Sequence, residues 1–233
     1  MIDWHCHVLP GVDDGSRDTA ESVSLINMQA EQGVDTVIAT PHFYANDETV
    51  GSFLYRREKA LERLKGVLRS DSPRIRVGAE VKYYHGISRL EYLKALRIEK
   101  SKLLLLEMPM SSWTEYMVRE LEELSGKNGI KLVLAHIERY LNLQSQAVWD
   151  RLQSSGILMQ VNASFFTEFA SKRKAISLLS EGMIHFVGSD CHGLTHRPPQ
   201  IGKAFEIIQK KMGDEFTRQM DEFGHSVLTV KRN

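Results

Sequence analysis

The chain has 233 residues, long enough to bury a sizeable core without staples, and its 30 lysines and arginines balance its 30 aspartates and glutamates, so nothing calls for nucleic acid or another polyanionic partner. Two cysteines, Cys6 and Cys191, are too few for a disulfide framework and are expected as reduced thiols. The first residues lack the basic and apolar regions of a signal peptide, and no apolar run approaches a membrane span, so a cytoplasmic protein without membrane insertion is expected.

Short apolar runs predict strands at residues 2–4, 36–40, 75–79, 103–106, 132–135, 157–161 and 185–189. Segments of helical periodicity lie between them, at residues 19–32, 49–69, 86–98, 114–127, 144–154, 166–181 and 198–211, several ending at or beside a glycine. The tail, 214–233, reads as one more short helix and a closing segment, with no chemistry in it. No repeat, low-complexity tract or linker divides the chain, so residues 1–233 are expected as a single domain. Seven consecutive β-then-α units predict a closed or nearly closed parallel barrel rather than an open doubly wound sheet. No G-x-G-x-x-G follows the first strand, and dinucleotide chemistry is set aside.

In a parallel barrel the residues just after each strand converge on one rim. Here they are His5 and His7, His42, Glu80, Glu107, His136, Asn162, then Asp190 and His192, with Asp13 and Asp14 in the first loop. A lone histidine at a strand end is more often a hydrogen-bonded loop residue than a ligand. Several carboxylates on one rim without cations would repel one another, whereas imidazoles and carboxylates together match divalent metal coordination. The set His5, His7, Asp14, His42, Glu80, Glu107, His136, Asp190 and His192 exceeds the needs of one ion and suits two or three. Four carboxylates against three divalent ions leave about two positive charges, which favours a phosphate. Manganese, iron or zinc suits these ligands better than magnesium alone. Arg139 and Arg197 each follow closely on a ligand candidate, where a guanidinium fork would orient a pair of phosphate oxygens; the alternative for each is a surface salt bridge.

Cys191 and Arg197 also form C-x5-R, the spacing of cysteine-dependent tyrosine phosphatases. Asp190 and His192 flank the cysteine and Pro198-Pro199 follow the arginine, which argues against a phosphate-binding loop opening a helix. Trp113, Tyr116 and Met108-Pro109-Met110 either line a substrate mouth or pack as core, with core favoured. His85, His185 and His225 carry no motif and are read as structural.

The runs Met1-Ile-Asp-Trp-His-Cys-His-Val-Leu-Pro-Gly-Val-Asp-Asp-Gly15, Ala39-Thr-Pro-His42, Ala135-His-Ile-Glu-Arg-Tyr140 and Gly188-Ser-Asp-Cys-His192, with Arg197-Pro-Pro199, resemble the PHP (polymerase and histidinol phosphatase) superfamily and, more closely, its bacterial protein-tyrosine phosphatases. The resemblance implies a distorted (β/α)7 barrel of the PHP type and three divalent ions, manganese foremost. It further implies that His5, His7, Glu80 and Asp190 hold one ion, Glu80, Glu107 and His136 a second, and Asp14, His42 and His192 a third. Arg139 and Arg197 match the family's phosphate-binding arginines. The activity implied is phosphotyrosine hydrolysis by a metal-bridged hydroxide, counteracting a bacterial tyrosine kinase that controls capsule and exopolysaccharide synthesis. The alternative is a phosphatase of a small molecule such as histidinol phosphate or a sugar phosphate. The loop 43–52, Gly193 and His196 depart from the family pattern, which bears on substrate preference more than on chemistry.

Overall fold

Most of the apolar runs become parallel staves buried on both faces, as β/α architecture requires of strands covered by helices, while Arg74–Val77 keeps only Val77 buried. The computed structural model describes residues 1–90 and 92–229; Glu91, inside the expected helix 86–98, and residues 230–233, the end of the expected closing segment, lie outside the described residues. Among the described residues there are nine strand segments: β1 (Ile2–Cys6), β2 (Thr36–Ala39), β3 (His42–Phe43), β4 (Arg74–Val77), β5 (Glu80–Lys82), β6 (Leu103–Glu107), β7 (Lys131–Leu134), β8 (Leu158–Asn162) and β9 (Phe186–Gly188). Every pairing is parallel.

Two staves are each broken once. Pro41 interrupts the second, separating β2 from β3, and Gly78 lies in the break between β4 and β5. The register continues across both breaks, with Ala39 opposite Val77 and His42 opposite Glu80. The nine segments therefore build seven staves in chain order, as the sequence predicts. The sheet curls until β9 lies beside β1, where Asp190 N–H donates to His5 O (2.7 Å) and His7 N–H to Cys191 O (3.0 Å). Gly188 makes that approach feasible: a Cβ there would stand 2.6 Å from the His5 Cβ and 2.8 Å from its nitrogen.

The helices are α1 (Thr19–Glu31), α2 (Val50–Lys65), α3 (Glu115–Gly126), α4 (Gln146–Ser154), α5 (Ser164–Thr167), α6 (Lys172–Ser180), α7 (Ile201–Met212) and α8 (Asp214–Leu228). Asp18 caps α1 by accepting the Glu21 N–H, and Thr114 caps α3 through Met117 N–H. No helix among the described residues is long and apolar enough to cross a membrane.

Two expected helices are corrected. Residues 86–98 form two short 3₁₀ segments, Ile87–Arg89 and Tyr92–Leu96, with Leu90 extended between them. The apolar positions Ile87, Leu90, Leu93 and Leu96 recur every three residues, the period of a 3₁₀ rather than an α turn. The buried Glu120 carboxylate draws the Gly86 and Ser88 N–H groups away from a helical ladder. The expected helix 166–181 is split into α5 and α6 at Glu168, whose backbone is extended, and Ser171 Oγ bonds back to Phe165 O (2.9 Å). The tail is more than a short helix: α8 runs fifteen residues, sets Gly224 against the Trp4 ring and sends Leu228 into the apolar cluster of Ile2, Trp4, Leu103, Leu158 and Phe186.

Candidate metal centre

All nine ligand candidates converge. His5 and His7 end the first stave, His42 and Glu80 sit in the short segments after the two breaks, and Glu107 closes β6. His136, Asp190 and His192 follow β7 and β9. Glu80 occupies the middle: its Oε1 lies 2.7 Å from His136 Nε2, and its Oε2 lies 3.0 Å from His42 Nδ1, 3.3 Å from His7 Nε2 and 3.5 Å from His5 Nε2. Asp190 Oδ1 stands 3.2 Å from His5 Nε2 and 3.5 Å from His7 Nε2. Asp14, the exposed member, brings Oδ1 to 3.5 Å from both His42 Nε2 and His192 Nε2.

Four overlapping groups of donor atoms result: His5, His7 and Asp190; His5, Glu80 and His136; His42, Glu80 and Glu107; and His7, Asp14, His42 and His192. Against the partition implied by resemblance, His5, His7 and Asp190 group without Glu80, and Asp14, His42 and His192 group with His7 added. Glu107 groups with His42 and Glu80 and lies 3.8 Å from His136, which groups with His5 and Glu80.

The imidazoles are held by their far nitrogens. Nδ1 of His5 meets Thr40 Oγ1 (3.0 Å), that of His7 meets Asp13 (2.6 Å), that of His136 meets Tyr140 Oη (3.2 Å) and that of His192 meets Asp190 O (2.9 Å). Asp13 and the Asp190 carbonyl can only accept, and Tyr140 spends its own proton on Met108 O (2.9 Å). A proton on Nδ1 of His7, His136 and His192 satisfies these acceptors. A bound cation would then take the Nε2 lone pairs, the tautomer a metal ligand requires, whereas without one the Nε2 atoms of His7 and His136 face the Glu80 and Asp190 oxygens as donors.

Burial alone would raise the Glu80 and Asp190 carboxyls. The neighbouring imidazoles, His5 foremost, hold both well below the usual carboxylate range, so both stay ionised at neutral pH. Glu80 Oε2 and His42 Nδ1 are buried without a hydrogen-bond partner of acceptable geometry. An imidazole nitrogen and a carboxylate oxygen 3.0 Å apart, neither in a well-formed hydrogen bond, fit a shared cation, and mixed imidazole and carboxylate ligands fit a first-row divalent ion.

Arg139 and Arg197 both reach Asp190. Arg139 Nη2 donates to Oδ2 (2.6 Å), Arg197 Nη2 bonds the same oxygen, and Asn162 Nδ2 adds a third bond (2.8 Å). The surface salt bridge considered for each arginine is thus a contact with the cluster itself. Of the four non-glycine residues with left-handed backbone among the described residues, three are here: His136 (φ 35°), Asp190 (φ 50°) and Arg197 (φ 55°). Such conformations persist where the surroundings enforce them, commonly at functional sites.

Cys191 is fully buried and Arg197 turns to Asp190, so the C-x5-R spacing builds no thiol site. Trp113 packs against Tyr140 and Trp149 as core, while Met110 and Tyr116 remain exposed. His85 stacks on Tyr116 and His185 accepts the Met159 N–H; neither joins the cluster. The sequence reading missed Thr40, Tyr140 and Gln160, whose Oε1 accepts the His136 N–H (2.6 Å). It also missed Lys82, whose Nζ meets Glu107 Oε2 (2.9 Å), and Tyr44, stacked on His42. Their position two residues beyond His42 and Glu80, on the same side of the chain, was the available signal.

Residues 1–223 match the family model for capsular polysaccharide synthesis, CpsB/CapC. The chain belongs to this family. Its relatives include the tyrosine-protein phosphatase YwqE of Bacillus subtilis, 30% identical over 98% of this chain and 91% of that protein. The tyrosine-protein phosphatase CpsB of Streptococcus pneumoniae is 32% identical over 94% of each. Among solved structures, those of YwqE and CpsB, described as metal-dependent tyrosine phosphatases, superpose on this CpsB/CapC member with a TM-score of 0.84, at 24% identity and full coverage of both chains. The fold extends to histidinol phosphate phosphatase of Lactococcus lactis (TM-score 0.57, 14% identity, 90% of this chain and 92% of that one). The PHP-type barrel expected from the sequence is the fold these structures share.

Proposed function

We propose that this chain, acting as one domain in the cytoplasm, is a metal-dependent protein-tyrosine phosphatase. Its substrate is a tyrosine-phosphorylated protein, a bacterial tyrosine kinase of capsule or exopolysaccharide synthesis. It would hold three divalent ions, manganese by preference, on His5, His7, Asp14, His42, Glu80, Glu107, His136, Asp190 and His192. The observation that carries this reading is Glu80 at the meeting point of four imidazoles, with an orphaned oxygen, in a chain whose relatives are named tyrosine phosphatases.

Bound divalent ions supply acidified water as nucleophile and positive charge for the phosphoryl oxygens. The chain's own part is orientation. Thr40, Asp13, Tyr140 and the Asp190 carbonyl fix four imidazole rings, so the donors need little rearrangement. Arg139 and Arg197, converging from two loops on one carboxylate oxygen, are set to transfer their forks to the non-bridging oxygens of a phosphoryl group.

The test is turnover of a phosphotyrosine peptide, histidinol phosphate and a sugar phosphate, with and without added Mn²⁺, beside metal analysis of the purified protein. Metal-dependent hydrolysis favouring the peptide is expected. A preference for histidinol phosphate or the sugar phosphate would move the assignment to a small-molecule phosphatase, and no turnover on any of them would sink it.

A further inference from the structure

Around the cluster, Arg139 and Arg197 gather on Asp190, from the loops that follow β7 and β9. A third cation arrives from elsewhere. Lys82 ends β5, and the register sets it opposite Glu107, one pleat beyond the pair His42–Glu80. Because side chains alternate along a strand, Lys82 shares the face of Glu80 and stands one step nearer the rim. Its side chain is 41% exposed, with Nζ 2.9 Å from Glu107 Oε2. Beside it on the neighbouring stave, Tyr44 follows His42 by two residues. Its ring stacks on His42 with centroids 5.3 Å apart and planes at 26°, and the residue is 37% exposed.

The two kinds of cation suit different oxygens. A guanidinium fork matches the paired non-bridging oxygens of a phosphoryl group, whereas an ammonium is a point charge on a flexible stem and suits a single oxygen that gains charge. In-line displacement separates the attacking oxygen from the leaving one. Lys82 approaches from β5 and shares the Glu107 carboxylate with Arg139, whose Nη1 stands 3.9 Å from the other oxygen, while Tyr44 lies one residue past β3, the segment paired with β5.

Resting on the phosphatase reading above, we propose that Tyr44 and Lys82 form the leaving-group half of the substrate site. The substrate's phenyl ring packs against Tyr44, and the Lys82 ammonium donates a hydrogen bond to the bridging oxygen. As the P–O bond breaks, its electron pair becomes a lone pair of the phenolate, which Lys82 stabilises while keeping its own proton. Over the whole hydrolysis the water oxygen goes to phosphorus and one water proton to the tyrosyl oxygen, so no further reactant is needed. The pair thereby selects aryl over alkyl phosphates.

The experiment measures kcat and KM of wild type, Lys82→Met, Lys82→Arg, Tyr44→Ala and Tyr44→Phe on p-nitrophenyl phosphate, phenyl phosphate, a phosphotyrosine peptide and histidinol phosphate. Bound metal and thermal unfolding are followed for each variant. A charge-assisted hydrogen bond to a developing phenolate predicts that Lys82→Met loses about 10- to 100-fold in kcat on phenyl phosphate and the peptide. The loss on p-nitrophenyl phosphate, whose leaving group needs less help, should be only about two- to threefold. Lys82→Arg should recover part of it. Tyr44→Ala should raise KM for the peptide about tenfold with little change for histidinol phosphate, and Tyr44→Phe should restore most of that. Equal losses across the aryl series, no loss at all, or a drop in bound metal that accounts for the loss would overturn the proposal. The wild-type rate on the peptide tests the phosphatase reading separately: were it absent while aryl phosphates still turned over, the Lys82 comparison would remain readable.

Discussion

One carboxylate oxygen of Asp13 serves two ligand candidates, accepting the His7 Nδ1 proton across 2.6 Å and the backbone N–H of His42 across 2.9 Å. Gly15 N–H bonds the other oxygen, and a Cβ at Gly15 would lie 2.3 Å from His7 O, so the loop folds back tightly upon the strand it leaves. Asp13→Ala is expected to weaken metal binding about 10- to 100-fold, the usual consequence of removing a group that orients a ligand. Calorimetric Mn²⁺ titration reads this directly; unchanged affinity would mean that His7 is positioned without its partner.

Gly188→Ala places a methyl group against the His5 Cβ and backbone where β9 closes on β1. The clash falls on backbone, which cannot swing aside as a long side chain can. A loss of about 1–3 kcal/mol in unfolding free energy, with less metal bound per chain, is expected. Thermal or urea unfolding of the variant, with elemental analysis, checks both effects.

Cys191→Ser should retain turnover within about threefold and lose on the order of 1–2 kcal/mol of stability, since a hydroxyl replaces a fully buried thiol. An enzyme using Cys191 as nucleophile would instead lose nearly everything, so a rate on p-nitrophenyl phosphate separates the two.

Glu138 carries a pH signature. Its Oε1 accepts the Asn162 N–H (3.2 Å), while Oε2 is enclosed without a partner even though other atoms of the residue reach solvent. Burial pushes the carboxyl up to about 7 from an ordinary 4.5, against the pull of His136. Below pH 4.5 the group is protonated in folded and unfolded chains alike. As pH rises from there to about 7 the unfolded chain gives up its proton first, so stability falls and then levels off. Chelator-treated protein should lose up to about 3 kcal/mol from this group between pH 4.5 and 8. Glu138→Gln should flatten that slope in pH-dependent urea unfolding, and an unchanged slope would assign it to other groups.

The staves and their donors could be read in advance because parallel strands covered on both faces appear as plain apolar runs, such as 103–106 and 132–135, and because histidine and glutamate are conspicuous immediately after such runs. The breaks at Pro41 and Gly78 were less legible. Apolar patterning gives the extent of a stave but not its continuity, so His42 and Glu80 were expected after strands when they lie in segments of their own. Helices 86–98 and 166–181 failed for a related reason: side-chain bonds from Glu120 and Ser171 compete with the helical ladder, and those partners are distant or unremarkable in sequence. Thr40, Tyr140 and Gln160 were invisible because what matters in them is the histidine each one meets, on an adjacent stave for Thr40 and Gln160 and one turn earlier for Tyr140.

At the end opposite the donors, Leu228 enters the cluster formed by Ile2, Trp4, Leu158 and Phe186, while Gly224 lets α8 lie flat on the Trp4 ring. Durability and chemistry are therefore assigned to different ends of the molecule. Changes in α8 or beneath it should move the melting temperature and leave substrate preference alone, whereas the loops around Tyr44, Lys82 and His196 can drift toward new phosphate esters on an unaltered foundation.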